Sequence, residues 1–518
     1  EWFVDGTASG TGPGTEITLT TGTHKIGLKI TSQLGIQSTI ERSVHILSAV
    51  TNIGGTIRGA ASQSGGMMYV GSTNRSISSI DTTGRLIKRF FTTGSIESAP
   101  AFSQSQKLYT VASDQKAYCF DHQLNAVWNA SLSGESNSTP AITEDGSTLF
   151  YAMSNGEIKA VDAQTGSVKW SYATGREITT SPVLIRQLDG AHVMYLGTKG
   201  SSTASPVFIA LKDKGVSALL LWEKQYDADI VSNAAILADE QNTMLYFTTA
   251  DGYLHRIRWD GYCEQTWKVN LGGNQGKCAP IIDENGLIYI GTSTGKLLAY
   301  VPGFHTTSQS SKLLLTGSSI IGTPAIGKTG NLYFGAFNGV FYSLDITQND
   351  FILNWLLDTK VQFSAPVLVT ESGVIVTGAM NGQLYLLKDP DFSAPARSEY
   401  HPKWPTHLGN NRRNRVVSLN VVSAEDTVSL PVVFALQQNY PNPFNPKTTI
   451  SYALPAPAKV SLKVYDVLGK EVALLVNQIQ TAGHHSVEFD ATPLPSGVYF
   501  YKIDTGKNSL VRKMLLLK

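Results

Sequence analysis

The sequence has little cysteine, and this limits how the chain can be stabilised. Its three cysteines are Cys119, Cys263 and Cys278. Three cysteines in 518 residues are too few for a disulfide scaffold, and none is adjacent to another. Cys263 and Cys278 could pair with each other, but buried free thiols are the favoured interpretation.

The sequence is also poor in charge and has no long apolar run. Charged residues make up 16%, and 41 Lys and Arg balance 40 Asp and Glu to a net charge of +1. No basic surface for nucleic acid or for an anionic membrane is therefore expected. No apolar run reaches the roughly 18 residues that a membrane helix needs.

Apolar residues, glycine and tyrosine are abundant. Apolar residues account for 42%, with 47 glycines and 21 tyrosines. Length and composition together predict two to four domains with real cores, as is typical of an extracellular all-β protein.

The first residues contain no secretory leader. The chain begins Glu1-Trp2-Phe3-Val4-Asp5-Gly6, without Met and without a basic-then-apolar segment. Residues 1–46 alternate in the manner of strands and resemble the second half of a bacterial immunoglobulin-like or polycystic-kidney-disease-type domain, with Trp2 as the core aromatic. A complete sandwich of this kind needs about 100 residues. We therefore expect further residues upstream of Glu1 in the natural protein.

An internal repeat of about 43 residues determines the central architecture. Each unit begins with the pattern small residue, proline in most repeats, small residue, as in Ser98-Ala99-Pro100-Ala101. The unit then continues into a strand that has an aromatic or apolar residue at its centre. That central position is occupied by Tyr69, Tyr109, Phe150, Tyr195, Tyr246, Tyr289, Tyr333 and Ile375. Eight such units predict an eight-bladed β-propeller with four strands in each blade.

One unit carries a recognisable packing motif. The segment from Ala160 to Trp170 contains Ala160, Asp162, Thr165, Gly166 and Trp170 in the pattern Ala-x-Asp-x-x-Thr-Gly-x-x-x-Trp. It resembles the pyrroloquinoline-quinone-type (PQQ-like) propeller repeat, and the resemblance extends over residues 47–415. In that family the tryptophan packs between neighbouring blades, so the resemblance implies a structural role for these residues.

The ring is expected to close through an exchanged strand. The last repeat runs into Asp389-Pro390-Asp391, which makes a poor fourth strand because proline cannot donate to the ladder. Residues 46–52, which precede the first repeat, resemble the end of a fourth strand. We therefore predict that residues 46–52 pair with the last blade and remove its open edge.

No motif for catalysis, cofactor binding or metal binding is present. Quinone-dependent dehydrogenases of similar blade number use long insertions and a disulfide between adjacent cysteines, and this chain has neither. The ten histidines show no metal-ligand spacing, and the Asp-rich turns lack the carboxylate spacing of a calcium loop. We therefore predict no catalytic, cofactor-binding or metal-binding residue and no cofactor.

The C-terminal segment contains a second recognisable pattern. Residues 433–518 open with Asn-Tyr-Pro-Asn-Pro-Phe-Asn-Pro, alternate as strands and end in a basic-apolar tail. They resemble the C-terminal sorting domain of proteins exported by the type IX secretion system of Bacteroidetes and their relatives. The residues that carry the resemblance are Asn439, Pro441, Asn442, Pro443, Phe444, Asn445, Pro446, Gly469, Gly497, Tyr499, Lys513, Leu515 and Lys518.

This resemblance implies a location and partners. It implies an immunoglobulin-like β-sandwich that the outer-membrane translocon recognises, with delivery to the medium or the outer cell surface. Residues 416–432 are expected to be a linker, where a sortase-like peptidase could cut and join the product to surface lipopolysaccharide.

Two functions of different classes remain open for the propeller. The favoured one is a non-catalytic, secreted or cell-surface protein that presents a binding, adhesion or scaffolding surface to a protein or glycan. The alternative is an extracellular enzyme, polysaccharide-active or quinoprotein-like, with its site at the mouth of the propeller channel. Two or more carboxylates converging at the channel mouth would favour the enzyme. A polar or aromatic rim without them would favour binding.

Overall fold

The structure is a computed structural model that describes the chain in separate ranges. They are residues 1–11, 22–31, 37–46, 49–238, 243–261, 267–273, 278–301, 312–347, 350–388, 416–418, 434–436, 438–439, 442–454, 458–480, 483–506 and 508–517. The chain divides into two compact units, Glu1–Val421 and Val422–Lys518. Within the described ranges all regular structure is β-strand, as predicted, and no helix could span a bilayer.

The first four strands of the first unit form one antiparallel sheet. They are β1 Trp2–Val4, β2 Thr7–Gly10, β3 Gly22–Thr31 and β4 Gln37–Ile46, in the order β2-β1-β3-β4. Trp2 is half-buried and lies opposite Leu28. The sheet is compatible with one half of a sandwich, and its assignment to an immunoglobulin-like or polycystic-kidney-disease-type domain stays a prediction.

Eight four-stranded antiparallel sheets follow, and we number them as blades 1 to 8. Blades 1 to 4 contain β6 Ser62–Ser64, β7 Met67–Ser72, β8 Ser76–Asp81 and β9 Leu86–Phe91; β10 Ala101–Phe102, β11 Leu108–Ala112, β12 Lys116–Phe120 and β13 Ala126–Ser131; β14 Ala141–Ile142, β15 Thr148–Ala152, β16 Glu157–Asp162 and β17 Val168–Ala173; and β18 Val183–Arg186, β19 His192–Gly197, β20 Val207–Asp213 and β21 Ala218–Gln225.

The second half of the ring repeats this organisation. Blades 5 to 8 contain β22 Ala235–Ala238, β23 Thr243–Thr248, β24 Tyr253–Arg258 and β25 Lys268–Asn270; β26 Ile281–Ile282, β27 Ile288–Gly291, β28 Lys296–Tyr300 and β29 Lys312–Leu315; β30 Ala325–Ile326, β31 Asn331–Gly335, β32 Val340–Asp345 and β33 Ile352–Asp358; and β34 Leu368–Val369, β35 Val374–Gly378 and β36 Gln383–Lys388, joined by the earlier strand β5 Ala49–Asn52.

Burial within a blade follows the strand order. The second strands are almost entirely buried, as in β11 and β15, because neighbouring blades cover both of their faces. The fourth strands are largely exposed, as in β13 and β33. The first strands, which proline often precedes, lie at the opposite edge of each sheet. There a missing N–H donor costs little.

The predicted closure of the ring is confirmed. β5 pairs antiparallel with β36, and the register places Asn52 opposite Gln383 and Ala49 opposite Leu386. Ile53, which follows β5, is fully buried in the same apolar cluster as Leu384. A strand from before the first blade thus completes the last one.

Blade 4 carries a strand that the sequence analysis did not predict. β37, Val416–Ser418, pairs in parallel with the first strand of this blade, with Val416 opposite Leu184 and Ser418 opposite Arg186. These three residues belong to the segment 416–432, which we expected to be a linker. The first strand of a blade leaves an edge of unpaired backbone groups, and a short segment rich in β-branched residues can satisfy them.

The second unit is a small β-sandwich. Its strands are β38 Ala435–Leu436, β39 Lys447–Leu454, β40 Ala458–Tyr465, β41 Glu471–Gln480, β42 Gly483–Asp490, β43 Gly497–Asp504 and β44 Ser509–Leu516. They form the sheets β38-β39-β42 and β41-β40-β43-β44. Alternating residues from both sheets, including Ile450, Val460 and Tyr501, share one buried core. The predicted alternation of apolar residues is therefore confirmed.

Closure by β5 leads to a test with two truncations. A chain lacking residues 1–52 loses β5 and exposes the edge of β36, whereas a chain lacking residues 1–46 keeps β5. We expect the longer truncation to lower the melting temperature of the propeller by about 5 °C or more relative to the shorter one. Differential scanning calorimetry measures this. Equal melting temperatures would show that β5 does not hold the ring closed.

Candidate functional site

The docking motif connects blades 2, 3 and 4. Trp170 lies opposite Ala160, and its indole Nε1 donates a hydrogen bond of 2.9 Å to Asp213 Oδ1 in the next blade. In the other direction, Gly166 is covered by the indole of Trp128 from blade 2. The motif therefore packs at both of its ends against neighbouring blades.

The turn between Asp162 and Gly166 is shaped to receive that indole. Asp162 Oδ1 accepts hydrogen bonds from the backbone N–H groups of Gln164 and Thr165 and from the Thr165 hydroxyl. Gly166 has φ +77°, and a Cβ at this position would lie 2.8 Å from Trp128 Cε3. Trp128 Nε1 donates to the carbonyl oxygen of Ala163 at 3.2 Å. Only glycine combines this backbone conformation with this close approach.

Two blades without the tryptophan use lysine at the same register position. Lys88 lies opposite Ser79 in blade 1, and its Nζ donates to Asn125 Oδ1 of blade 2 at 2.6 Å. Lys312 lies opposite Ala299 in blade 6, and its Nζ donates to the carbonyl oxygen of Ile346 in blade 7 at 2.7 Å. Burial lowers the pKa of Lys312. The sequence analysis did not identify these lysines, because their equivalence to the tryptophan rests on the strand register.

The aromatic residues of the second strands provide further links between blades. The hydroxyl of Tyr109 donates to the carbonyl oxygen of Ala163 at 3.2 Å, and that of Tyr195 donates to Trp259 at 2.9 Å. Tyr69 makes the corresponding contact with the carbonyl of His122. In blades 1, 2 and 4 the repeated tyrosine is therefore both a core residue and a hydrogen-bond donor to the next blade.

A chain of hydrogen bonds joins the blades near the propeller axis, and we call it the channel belt. The backbone N–H of Ala99 donates to Thr139 Oγ1 at 3.2 Å, and that of Thr139 donates to Ser181 Oγ at 2.9 Å. The N–H of Ser181 donates to Asn233 Oδ1 at 2.7 Å. Between blades 6 and 7, the N–H of Ala279 donates to Thr323 Oγ1 at 3.0 Å. These residues directly precede the proline, or its replacement, of each first strand.

A cavity of about 310 Å³ opens at the same end of the axis. Residues that precede the first strands, together with residues from turns between second and third strands, form its wall. They are Arg58, Gly59, Ala60, Glu97, Ser98, Ala99, Asn137, Ser138, Thr139, Thr179, Ser181, Val231, Asn233, Ile321, Phe337, Ser364, Pro366 and Met380. This cavity is the candidate binding site, which we call the mouth pocket. Residues from seven of the eight blades contribute to it.

The mouth pocket has little charge. Its only ionised side chains among the described lining residues are Arg58 and Glu97, which form an ion pair with 3.1 Å between Arg58 Nη1 and Glu97 Oε2. Hydroxyl, amide and small apolar side chains make up the rest of the wall. A pair of carboxylates, as glycoside hydrolysis requires, is not found among these residues.

Other reactive groups of the described residues lie apart from the mouth pocket. Cys119 and Cys278 are buried free thiols, and burial raises the pKa of each to about 12. Cys263 lies outside the described residues. His, Cys, Asp and Glu side chains of the described ranges form no group of three that could hold a metal ion.

In the second unit, residues of the sorting pattern lie beside the terminal strand. The backbone N–H of Phe444 donates to the carbonyl of Leu515 at 2.9 Å, and Asn442 Oδ1 accepts from the N–H of Leu515 at 2.8 Å. Asn439 is buried and donates through its N–H to the Tyr501 hydroxyl at 2.7 Å. Pro441 and Lys518 lie outside the described residues. The lead-in and the tail, joined across 73 positions of the sequence, thus form one structural element.

The remaining residues of the sorting pattern serve turns and strands. Gly469 adopts φ +80° in the turn that begins at Asp466, and Gly497 begins β43 opposite Leu516. The Tyr499 hydroxyl donates to the carbonyl of Pro495 at 2.8 Å. Lys513 is exposed on β44, and Pro443, Asn445 and Pro446 lie in the described lead-in. The peptide bond between Asn442 and Pro443 is cis.

Comparisons with known proteins agree with both units. Residues 438–517 match the family described as the secretion system C-terminal sorting domain, and residues 36–258 match the PQQ-like repeat family described as outer membrane protein assembly factor BamB. A comparison with curated protein sequences found no match.

Solved structures share the propeller fold at low identity. BamB from Moraxella catarrhalis is 14% identical with a TM-score of 0.53, covering 67% of this chain and 100% of that one. The quinohemoprotein alcohol dehydrogenase from Comamonas testosteroni is 13% identical with a TM-score of 0.54, covering 66% and 76%. Sqt1 from Saccharomyces cerevisiae is 11% identical with a TM-score of 0.52, covering 66% and 98%. At this identity the likeness shows the fold alone.

The fold and the comparisons define an exported all-β propeller protein. More particularly, the chain carries PQQ-like repeats that match over residues 36–258 and a C-terminal sorting domain that matches over residues 438–517. The sorting domain means export by the type IX secretion system and a location outside the cell or on its outer surface.

The docking contact between Trp128 and Gly166 can be isolated with two glycine substitutions. Gly166→Ala and Gly175→Ala both place a Cβ at a positive φ, +77° and +70°, which costs about 1–2 kcal/mol. Only Gly166→Ala also meets an indole, because nothing lies within 4 Å of the Gly175 position. We expect Gly166→Ala to destabilise the propeller by about 1–3 kcal/mol more than Gly175→Ala in urea unfolding. Equal losses of unfolding free energy in the two variants would mean that the Trp128 indole does not pack tightly against Gly166.

Proposed function

We propose that the propeller is a non-catalytic binding module that presents its mouth pocket to a protein or glycan outside the cell. The observation that carries this proposal is the chemistry of the pocket wall. Its single described carboxylate, Glu97, is held by Arg58, and the other polar groups are hydroxyls and amides. Such a wall can orient a ligand through hydrogen bonds.

The enzyme alternative receives less support. A general acid and a general base or nucleophile would require two carboxylates at suitable separation, and a quinoprotein-like site would require the adjacent cysteines that the sequence lacks. The alcohol dehydrogenase that shares the fold is only 13% identical. No specific feature of the mouth pocket favours catalysis.

Export and surface attachment complete the proposal. The sorting domain is handled by the type IX secretion system. We further propose that the folded sandwich and its tail are recognised together, because the lead-in residue Phe444 is bonded to the terminal strand. Cleavage after β37, within residues 419–432, and transfer to surface lipopolysaccharide would then fix the propeller on the cell.

Deleting the tail tests recognition of the sandwich. Removing residues 512–518 takes Met514 and Leu516 out of the core and leaves Phe444 without its backbone partners. We expect export from a type IX-competent host to fail while the propeller still folds, as judged by circular dichroism and protease resistance of the cell-retained protein. Ser509→Ala removes only an exposed hydroxyl of the same strand, at a residue outside the sorting pattern, and serves as the control. Normal surface delivery of the truncated chain would show that the tail is dispensable.

Blocking the mouth pocket tests the binding function. Asn137 is an exposed residue of the pocket wall, so Asn137→Trp should fill the cavity without disturbing a core. Gln123→Trp, at an exposed turn outside the pocket, is the matched control. We expect the wild-type chain to bind members of an array of surface glycans and extracellular proteins, and Asn137→Trp to lose that binding by tenfold or more. Binding that persists in Asn137→Trp would place the ligand site elsewhere.

A further inference from the structure

The mouth pocket has a polar side and an apolar side. Blades 1 to 3 contribute Arg58, Glu97, Ser98, Asn137 and Ser138. Blades 7 and 8 contribute Ile321, Phe337, Pro366 and Met380, while Val231 belongs to blade 5. In a ring of eight blades, blade 7 is four blades away from blade 3. Phe337 and Asn137 therefore stand on opposite sides of the axis.

Most hydroxyl groups of the pocket wall are already used within the protein. Thr139 and Ser181 accept bonds of the channel belt. Thr179 donates to the carbonyl oxygen of Ile230 at 2.6 Å, Ser138 donates to that of Ala152 at 2.9 Å, and Ser364 contacts Met380 Sδ at 3.1 Å. These groups hold the blades in position, and they have little hydrogen-bonding capacity left for a ligand.

The hydrogen-bonding groups that remain available to a ligand are concentrated in blades 1 to 3. Ser98 is 3% exposed, and its hydroxyl has no hydrogen-bond partner among the described residues although it lines the pocket. A buried hydroxyl without a partner is unfavourable, so a ligand or water is expected there. Arg58 uses one N–H on Glu97, Glu97 keeps Oε1, and the Asn137 amide makes no bond within the described residues.

These groups can recognise a ligand with a particular distribution of polarity. They offer both donors and acceptors, and the Arg58–Glu97 pair has no net charge. Opposite them, Phe337 is half-buried and presents an apolar aromatic wall beside Met380. A volume of about 310 Å³ is at the small end for ligand pockets and fits one ring better than an extended polymer.

We propose that the mouth pocket binds the terminal sugar ring of a neutral glycan. A pyranose has hydroxyl groups around its rim and a face of C–H groups, and this matches the polar and apolar sides of the pocket. The hydroxyls would bond to Arg58, Glu97, Ser98 and Asn137, and the C–H face would pack on Phe337. This inference rests on the proposed binding function, because it names the ligand class of the same site.

An anionic ligand or a peptide segment fits less well. A carboxylate or phosphate would compete with Glu97 for Arg58 and place two negative charges together, which is unfavourable. A peptide in extended conformation would need a row of free backbone groups, whereas the belt N–H groups of Ala99, Thr139 and Ser181 are already bonded. The neutral, ring-shaped ligand therefore remains the best match.

The test is direct binding of small glycosides to the full chain. Saturation-transfer NMR with the methyl glycosides of glucose, galactose, mannose and N-acetylglucosamine should detect at least one ligand with a Kd on the order of 1 mM, the affinity of a weak single-ring contact. The methyl glycoside of glucuronic acid is the anionic test ligand, and tri-alanine is the peptide test ligand. We expect both to bind at least tenfold more weakly than the best neutral glycoside.

Variants connect binding to the named residues. Phe337→Ala and Asn137→Ala should each weaken binding of the best glycoside by fivefold or more, and Gln123→Ala should leave it unchanged. Arg58→Ala removes a largely exposed side chain, so this variant tests the same binding site if Phe337→Ala alters the fold. Melting temperatures of all variants identify any loss of folding.

The outcomes separate this inference from the proposed function. Absence of neutral-glycoside binding, or binding unaffected by Phe337, Asn137 and Arg58 substitutions, would overturn the sugar assignment. If a protein or an anionic glycan binds instead and Asn137→Trp abolishes that binding, the sugar assignment fails while the proposed function stands. If nothing binds the pocket in either experiment, both fail.

Discussion

The channel belt is the constraint on which the architecture of the propeller depends. Each first strand is short, and proline often removes an N–H donor at its start. The preceding residue compensates, because its N–H donates to the side chain of the equivalent residue in the next blade, as from Thr139 to Ser181. The blades approach so closely here that a Cβ on Gly322 would lie 2.3 Å from the carbonyl oxygen of Ala365. Small residues at these positions follow from that proximity.

The belt also determines what the mouth pocket can offer. Thr139 and Ser181 line the pocket, but their side-chain oxygens hold the neighbouring blades together. The polar groups that remain available to a ligand belong to Arg58, Ser98 and Asn137, which take no part in the belt. Further from the axis, Trp170, Trp128 and Lys312 form a second set of contacts between blades. Structural and binding residues thus share the same loops and differ in whether their hydrogen bonds are already satisfied.

The sequence predicted the repeats, the strand exchange and the sorting domain because each has a local signature. An aromatic or apolar residue, most often tyrosine, recurs in the second strands about every 43 residues, and the pattern from Ala160 to Trp170 is contiguous. The belt was missed because its bonds join residues about 40 positions apart, and serine or threonine before proline is common in loops. Lys88 and Lys312 were missed because equivalence to Trp170 depends on strand register. β37 was missed because its pairing with Leu184 is remote in sequence.

The most direct test of this account is hydrogen exchange at the belt. In mass-spectrometric exchange of the full chain, peptides covering Ala99 should be protected, although this residue precedes a strand of only two residues. Thr139→Val keeps the shape of the side chain but removes the acceptor for the Ala99 N–H. The account predicts faster exchange at Ala99 in Thr139→Val and unchanged exchange in the blade 6 peptide containing Ala279. Rapid exchange at Ala99 in the wild type, or no effect of Thr139→Val, would contradict it.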